Sequence, residues 1–153
     1  MDDARLELLQ SMPVFGGVSQ GTLIFLMQRA SILNLEKGEF FFHEGDSATS
    51  MFVLESGVVA AMKQRDGQEL VARELGQGDC FGEMALLDLY PRSASVIART
   101  HCRAIEISQA SLFALHEENL EQFTIIQMNI GREISRRLRL SDEKLFEMSG
   151  AVM

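Results

Sequence analysis

The stretch that decides the fold is Gly76-Gln77-Gly78-Asp79-Cys80-Phe81-Gly82-Glu83-Met84-Ala85-Leu86-Leu87-Asp88-Leu89-Tyr90-Pro91-Arg92-Ser93-Ala94-Ser95-Val96. It lies in a region that otherwise reads as strands, yet the residues after Gly82, Glu83 to Leu87, have the composition of a single helical turn. The first N–H groups of such a turn lack partners within it and carry the positive end of the peptide dipoles, so together they favour an anion. Arg92, nine residues beyond Glu83, can reach back over the same point. A guanidinium holds phosphate oxygens through two parallel hydrogen bonds. Glu83 repels phosphate but accepts readily from a sugar hydroxyl, so the pair asks for a phosphorylated sugar.

Around this stretch, from residue 31 to 107, turn signals recur at short intervals: Lys37-Gly38, Glu44-Gly45-Asp46, Ser56-Gly57, Asp66-Gly67, Gly76 and Gly78. The intervening segments Glu39 to His43, Met51 to Glu55, Val58 to Lys63 and Glu69 to Leu75 are short and rich in Phe, Val, Leu and Met, which predicts strands. Asp66-Gly67 is a hairpin signal. Many short strands at this spacing predict a small antiparallel roll or barrel whose closure protects its edges. Gly76-x-Gly78 precedes Asp79 without the strand-to-helix context of a dinucleotide site, so it is read as a turn.

Helical spacing holds on either side. Residues 4 to 9 and 19 to 29 carry it, with Leu23, Leu26 and Met27 on one face and Ser19 as the expected N-cap. From Ser108 to Met148 the period is helical again, interrupted only by Gly131. Ile134, Leu138, Ser141, Leu145 and Met148 are spaced four, three, four and three, a heptad seam that predicts a homodimer through this helix. The stripe Phe123, Ile126, Ile130, Ile134 is expected to cover the mouth of the roll. Arg136, Arg137 and Arg139 stand beside Glu133, Asp142 and Glu143 and read as a solvated helix face.

The 153 residues fit one domain large enough to hide roughly two-thirds of its unfolded surface. At 46% hydrophobic and 24% charged the composition excludes disorder and collagen. With 14 Lys and Arg against 22 Asp and Glu, the net charge of −8 argues against broad phosphate-backbone binding but leaves room for a local basic pocket. No apolar run approaches the ~20 residues of a membrane span, and Met1-Asp2-Asp3 lacks a basic leader, so a cytoplasmic protein without membrane contact is expected. Cys80 and Cys102 are too few for a disulfide scaffold and are expected reduced and buried. His43, His101 and His116 are isolated, so neither a metal nor a cofactor is expected. No local nucleophile motif is present, so catalysis is not expected.

The run Phe81-Gly82-Glu83-Met84-Ala85-Leu86-Leu87 followed by Pro91-Arg92-Ser93-Ala94 closely resembles the phosphate-binding cassette of the cyclic nucleotide-binding domain family. Leu9, Pro13-Val14-Phe15 and Leu23 are similar to its helical lead, and Gly38, Gly45-Asp46 and Gly57 to its roll turns. Arg136 to Lys144 is similar to the long C-terminal helix of the family's bacterial transcription activators. The resemblance implies a mainly β fold with flanking helices, a double-stranded β-helix or jelly-roll-like β-roll. A single domain over 1–153 then divides into N-terminal helices (1–30), β-roll (31–107) and C-terminal helices (108–149). The implied function is a non-catalytic regulatory sensor for cyclic AMP, with cyclic GMP as the other purine choice.

By motif position, Glu83 would bind the ribose 2′-hydroxyl, Arg92 the cyclic phosphate, Gly82 and Ser93 further phosphate oxygens, and Ser141 the adenine edge. A hinge near Leu112 to Leu120 would let the long helix move, for an unknown downstream protein to read. Because only Gly150 to Met153 follow that helix, direct nucleic acid binding is not expected. Two other readings are a ligand-free interaction subunit that keeps the fold and a cupin-like metal-dependent barrel enzyme, the latter disfavoured by the lack of a His-x-His pair.

Overall fold

Ser19 caps a helix as expected, its hydroxyl accepting from the Thr22 N–H, and α2 (Gln20–Arg29) then buries Leu23 and Leu26 on one face. This is seen in a computed structural model that describes residues 1–150. Residues 151–153, and with them the end of the expected 1–153 domain, lie outside the described part. Ahead of α2 come α1 (Asp3–Gln10), capped by Asp2, and a 3₁₀ turn over Pro13–Phe15. Pro13 begins that turn, where its missing N–H costs nothing.

Eight strands follow: β1 (Ser31–Leu35), β2 (Phe40–Phe42), β3 (Ser50–Ser56), β4 (Val59–Arg65), β5 (Gln68–Leu75), β6 (Cys80–Phe81), β7 (Ser95–Ala98) and β8 (Cys102–Ser108). They form two antiparallel sheets in the orders β1-β8-β3-β6 and β2-β7-β4-β5. With the flanking helices this is the expected jelly-roll-like β-roll. Asp66 and Gly67 both take positive φ, 54° and 77°, the backbone that a two-residue hairpin between β4 and β5 requires. The short helix α3 (Met84–Asp88) interrupts the strands between β6 and β7.

Within the first sheet β3 is buried on both faces, which explains why Met51 to Leu54 are continuously apolar rather than alternating. Phe52 and Leu54 point into the roll with Phe81, Val96 and Ala104. Met51, Val53, Ile105 and Ile107 point outward against the helices, where Leu9, Phe15, Leu26 and Leu115 complete a second core. Cys80 and Cys102 are free and buried, one in each core.

The C-terminal helical region departs from expectation in two ways. It breaks not at Gly131 but at Asn119, inside the Leu112 to Leu120 span where a hinge is expected, giving α4 (Gln109–Glu118) and α5 (Leu120–Met148). Asn119 leaves helical geometry at φ −154° and its side chain caps α5 by accepting from the Gln122 N–H, whereas Gly131 continues the helix. The stripe on α5 also lies mostly elsewhere than over the roll mouth, which Ile134 alone of its four residues reaches. Ile126 and Ile130 are buried in the outer core against the N-terminal helices, with Phe123 and Ile134 at its edge. Asn129 fixes this docking by donating to the carbonyls of Val14 (3.0 Å) and Gly16 (2.8 Å). Among the described residues, no helix is long and apolar enough to cross a membrane.

Candidate functional site

A cavity of about 430 Å³ opens between the interior of the roll and the second half of α5. Gly82, Glu83, Arg92, Ser93 and Ser141, five positions spread over sixty residues of chain, all line it. Their convergence has local causes. Gly82 sits at φ +80°, and a Cβ there would stand 2.6 Å from Arg92 Nη1, so glycine both makes the turn and leaves the space that the guanidinium fills.

Arg92 is anchored at both ends. Its backbone N–H donates to the Asp46 carbonyl and its own carbonyl accepts from the Gly45 N–H, each at 2.8 Å. Nη1 donates to the Gly82 carbonyl (2.9 Å) and Nη2 to the Ser50 carbonyl (2.8 Å), with the guanidinium 4.1 Å over the Phe42 ring. Arg92 is 6% exposed, and Nε is buried without a partner among the described residues. Burial holds its pKa below the ordinary arginine value, with Glu106, Asp46 and Glu83 opposing that shift.

Glu83 immediately precedes α3 and accepts from the Leu86 N–H through its carbonyl, so its side chain turns inward at 3% exposure. Its Oε1 accepts from Arg137 Nη1 at 3.0 Å, while Oε2 is buried and unpartnered among the described residues. Burial pushes the carboxyl above the usual carboxylate range, and Arg137 pulls it back only in part. Ser93 is exposed at the cavity rim, and Ser141 Oγ donates to the Arg137 carbonyl (3.1 Å) one turn back on α5.

Three cations at this cavity were not expected. Arg137 does not belong to a solvated helix face: its side chain is 11% exposed, holds Glu83 and donates from Nη2 to the Cys80 carbonyl at 2.6 Å. Its neighbours behave as expected, Arg136 pairing with Glu133 at the surface and Arg139 standing exposed. Lys63 on β4 and Arg73 on β5 also line the cavity. Beneath it, burial and then Glu83 push the Cys80 thiol up to about 12, so it is an inert packing group.

The other candidates have structural surroundings. His43 stacks on Phe40, His101 faces Glu36 at 3.1 Å, and His116 lies between Phe113 and Phe123. No metal-ligating cluster occurs among the described residues.

Comparison with known proteins follows the same lines. The profile of the cyclic nucleotide-binding domain matches residues 32–119. The cAMP-activated global transcriptional regulator CRP of Salmonella typhimurium is 30% identical over 126 residues, 81% of this chain and 58% of that one. The cAMP-dependent protein kinase type II regulatory subunit of Drosophila melanogaster is 34% identical over 92 residues, 60% of this chain and 24% of its own. The crystal structure of the Thermus thermophilus catabolite activator protein superposes with a TM-score of 0.76 at 28% identity, covering 90% of this chain and 63% of that one. The chain thus spans less than two-thirds of the length of these relatives.

Proposed function

The chain belongs to the cyclic nucleotide-binding domain family, and on that premise we propose that it is a cyclic nucleotide sensor, not a catalyst, which takes cyclic AMP between Arg92 and Glu83 and signals through the second half of α5. The observation that carries this reading is the convergence of Arg92 and Glu83 on one cavity, each with a buried atom that has no partner among the described residues, Arg92 Nε and Glu83 Oε2, as Arg137 Nε also has none. Leaving such groups unmade in a folded interior costs about 1–3 kcal/mol each, more when charged. A ligand with a sugar hydroxyl and a phosphate supplies partners for Glu83 and Arg92.

In this reading the cyclic phosphate lies against the Arg92 guanidinium, near Gly82 and the Ser93 hydroxyl. The ribose 2′-hydroxyl donates to Glu83. The base then extends toward Ser141, whose hydroxyl can donate or accept. Cyclic AMP is preferred over cyclic GMP because the relatives above are described as cAMP-activated and cAMP-dependent.

Signalling follows from Arg137, which ties α5 to Glu83. A sugar at Glu83 changes what Arg137 can hold, and therefore how the end of α5 rests on the roll. Ligand shifts that equilibrium only by its differential affinity for the two positions. The same helix end supports a homodimer, since Leu138, Leu145 and Met148 of the seam are 60%, 64% and 82% exposed. A downstream protein reads the moved helix.

Calorimetric titration of the chain with cyclic AMP and cyclic GMP tests the proposal. Saturable binding of cyclic AMP is expected. Binding of neither overturns it and favours an interaction subunit that keeps the fold without the ligand.

A further inference from the structure

Inward-facing strand positions of a roll ordinarily carry apolar side chains, and Ala61, Leu75 and Val96 do so at this cavity. Lys63 and Arg73 break the pattern. Both are half-buried, and neither has a hydrogen-bond or ion-pair partner among the described residues. With Arg92 and Arg137 they make four cations around one carboxylate, Glu83, and thus a local charge of +3 in a chain whose net charge is −8. A cyclic mononucleotide brings a single negative charge, so it leaves most of that excess uncompensated.

The cations are also separated in space. The charged neighbours of Arg92 are Glu106, Asp46 and Glu83, whereas those of Arg73 are Arg137, Glu83 and Arg136. Glu83 alone is common to both, so each guanidinium neighbours the same carboxylate while neither is among the other's charged neighbours. Burial and the neighbouring Arg137 both disfavour charge on Arg73, a crowding of like charges that an anion relieves.

We propose that Arg73 and Lys63 form a second phosphate subsite, so that the preferred ligand is a nucleotide whose ribose carries two separate phosphate groups, one held by Arg92, the sugar by Glu83, and the other by Arg73 with Lys63. The proposal rests on the nucleotide reading given above and extends it. Two ligand types share this chemistry, a nucleoside 3′,5′-bisphosphate and a cyclic dinucleotide.

The test is a calorimetric titration of the full chain with cyclic AMP, cyclic GMP, adenosine 3′,5′-bisphosphate and cyclic di-AMP at low and high salt. It is repeated for Arg92→Ala, Lys63→Ala, Arg73→Ala and Arg73→Gln, with melting curves to confirm folding. At least one doubly phosphorylated probe should bind about tenfold or more tightly than cyclic AMP, as one added charge-assisted contact allows. Which of the two it is identifies the ligand type. That advantage should shrink with salt and fall to near parity in both Arg73 variants, and Arg92→Ala should weaken every probe. Tighter binding of cyclic AMP than of either doubly phosphorylated probe overturns the proposal and leaves the nucleotide reading standing. So does an advantage that survives in both Arg73 variants, or an Arg73 effect confined to the ratio of cyclic GMP to cyclic AMP, which makes Arg73 a reader of the base. Failure of all four probes to bind the wild-type chain overturns the nucleotide reading and this proposal together.

Discussion

The two halves of α5 belong to one continuous helix but have opposite surroundings. From Leu120 to Ile130 the helix is built into the protein. Ile126 and Ile130 are 1% and 2% exposed, Asn129 holds two carbonyls of the N-terminal segment, and Gln122 Oε1 accepts from the Ser19 N–H at 2.8 Å. From Arg132 onward Leu138, Leu145, Phe146 and Met148 lie open, and the Glu83–Arg137 pair with its Cys80 carbonyl contact is the principal polar tie to the roll. One half is held by apolar burial, which is non-directional and insensitive to a ligand. The other is held by charges that also line a cavity. In the function proposed above, the part of the helix that responds to ligand is the part that the core leaves uncovered.

The comparison breaks if truncating either half has the same effect. Ile130→Ala should destabilise the chain by about 2–5 kcal/mol. Leu145→Ala should stay within about 0.5 kcal/mol for the monomer and weaken self-association instead, as denaturant melts and sedimentation will read. Equal losses would mean that the second half is packed as firmly as the first. Asn129→Ala sharpens the same contrast at about 1–3 kcal/mol, because it leaves the buried Val14 carbonyl without its donor. In the open half, Ser141→Ala should weaken cyclic AMP binding by about 0.5–1.5 kcal/mol, the net worth of one neutral hydrogen bond. An unaltered affinity removes Ser141 from the site.

The smallest effect concerns pH. Burial raises the Glu83 pKa above its unfolded value. A carboxyl raised in this way favours folding fully below its unfolded pKa and loses that contribution as pH rises through its folded one. The wild type without nucleotide should therefore lose stability relative to Glu83→Gln as pH rises from about 4, the unfolded carboxyl value, through the raised folded one. Thermal melts of both across that range give the sign, and a difference that stays flat or grows in the wild type's favour would mean that Arg137 outweighs the burial.

What the sequence makes legible follows the same division. The turns at Gly45, Gly57, Asp66-Gly67 and Gly78 are local events, and so is the cassette from Gly82 to Ser93, so both can be read from neighbouring residues. The break at Asn119 carries a local signal that the even helical period masks, an Asn with Gln122 three residues on, the spacing of a capping box. Arg137 carries no such signal. Its burial depends on Cys80 and Glu83, more than fifty residues away, and a lone arginine on a polar helix looks solvated. Arg73 is hidden for another reason. The pairing of β4 with β5 shifts register between Ala61 and Met62, so Ala72 and Arg73 both reach the cavity and strict alternation fails.

Arg92 lines the cavity with a buried guanidinium whose Nε has no partner among the described residues. Calorimetric titration of wild type and Arg92→Ala with cyclic AMP, each shown folded by its melting curve, measures its part. The expected result is a loss of about 2–5 kcal/mol in binding free energy, because the phosphate is left buried without its counter-charge. Undiminished affinity for cyclic AMP in a folded Arg92→Ala chain would contradict the assignment of this cavity as the nucleotide site.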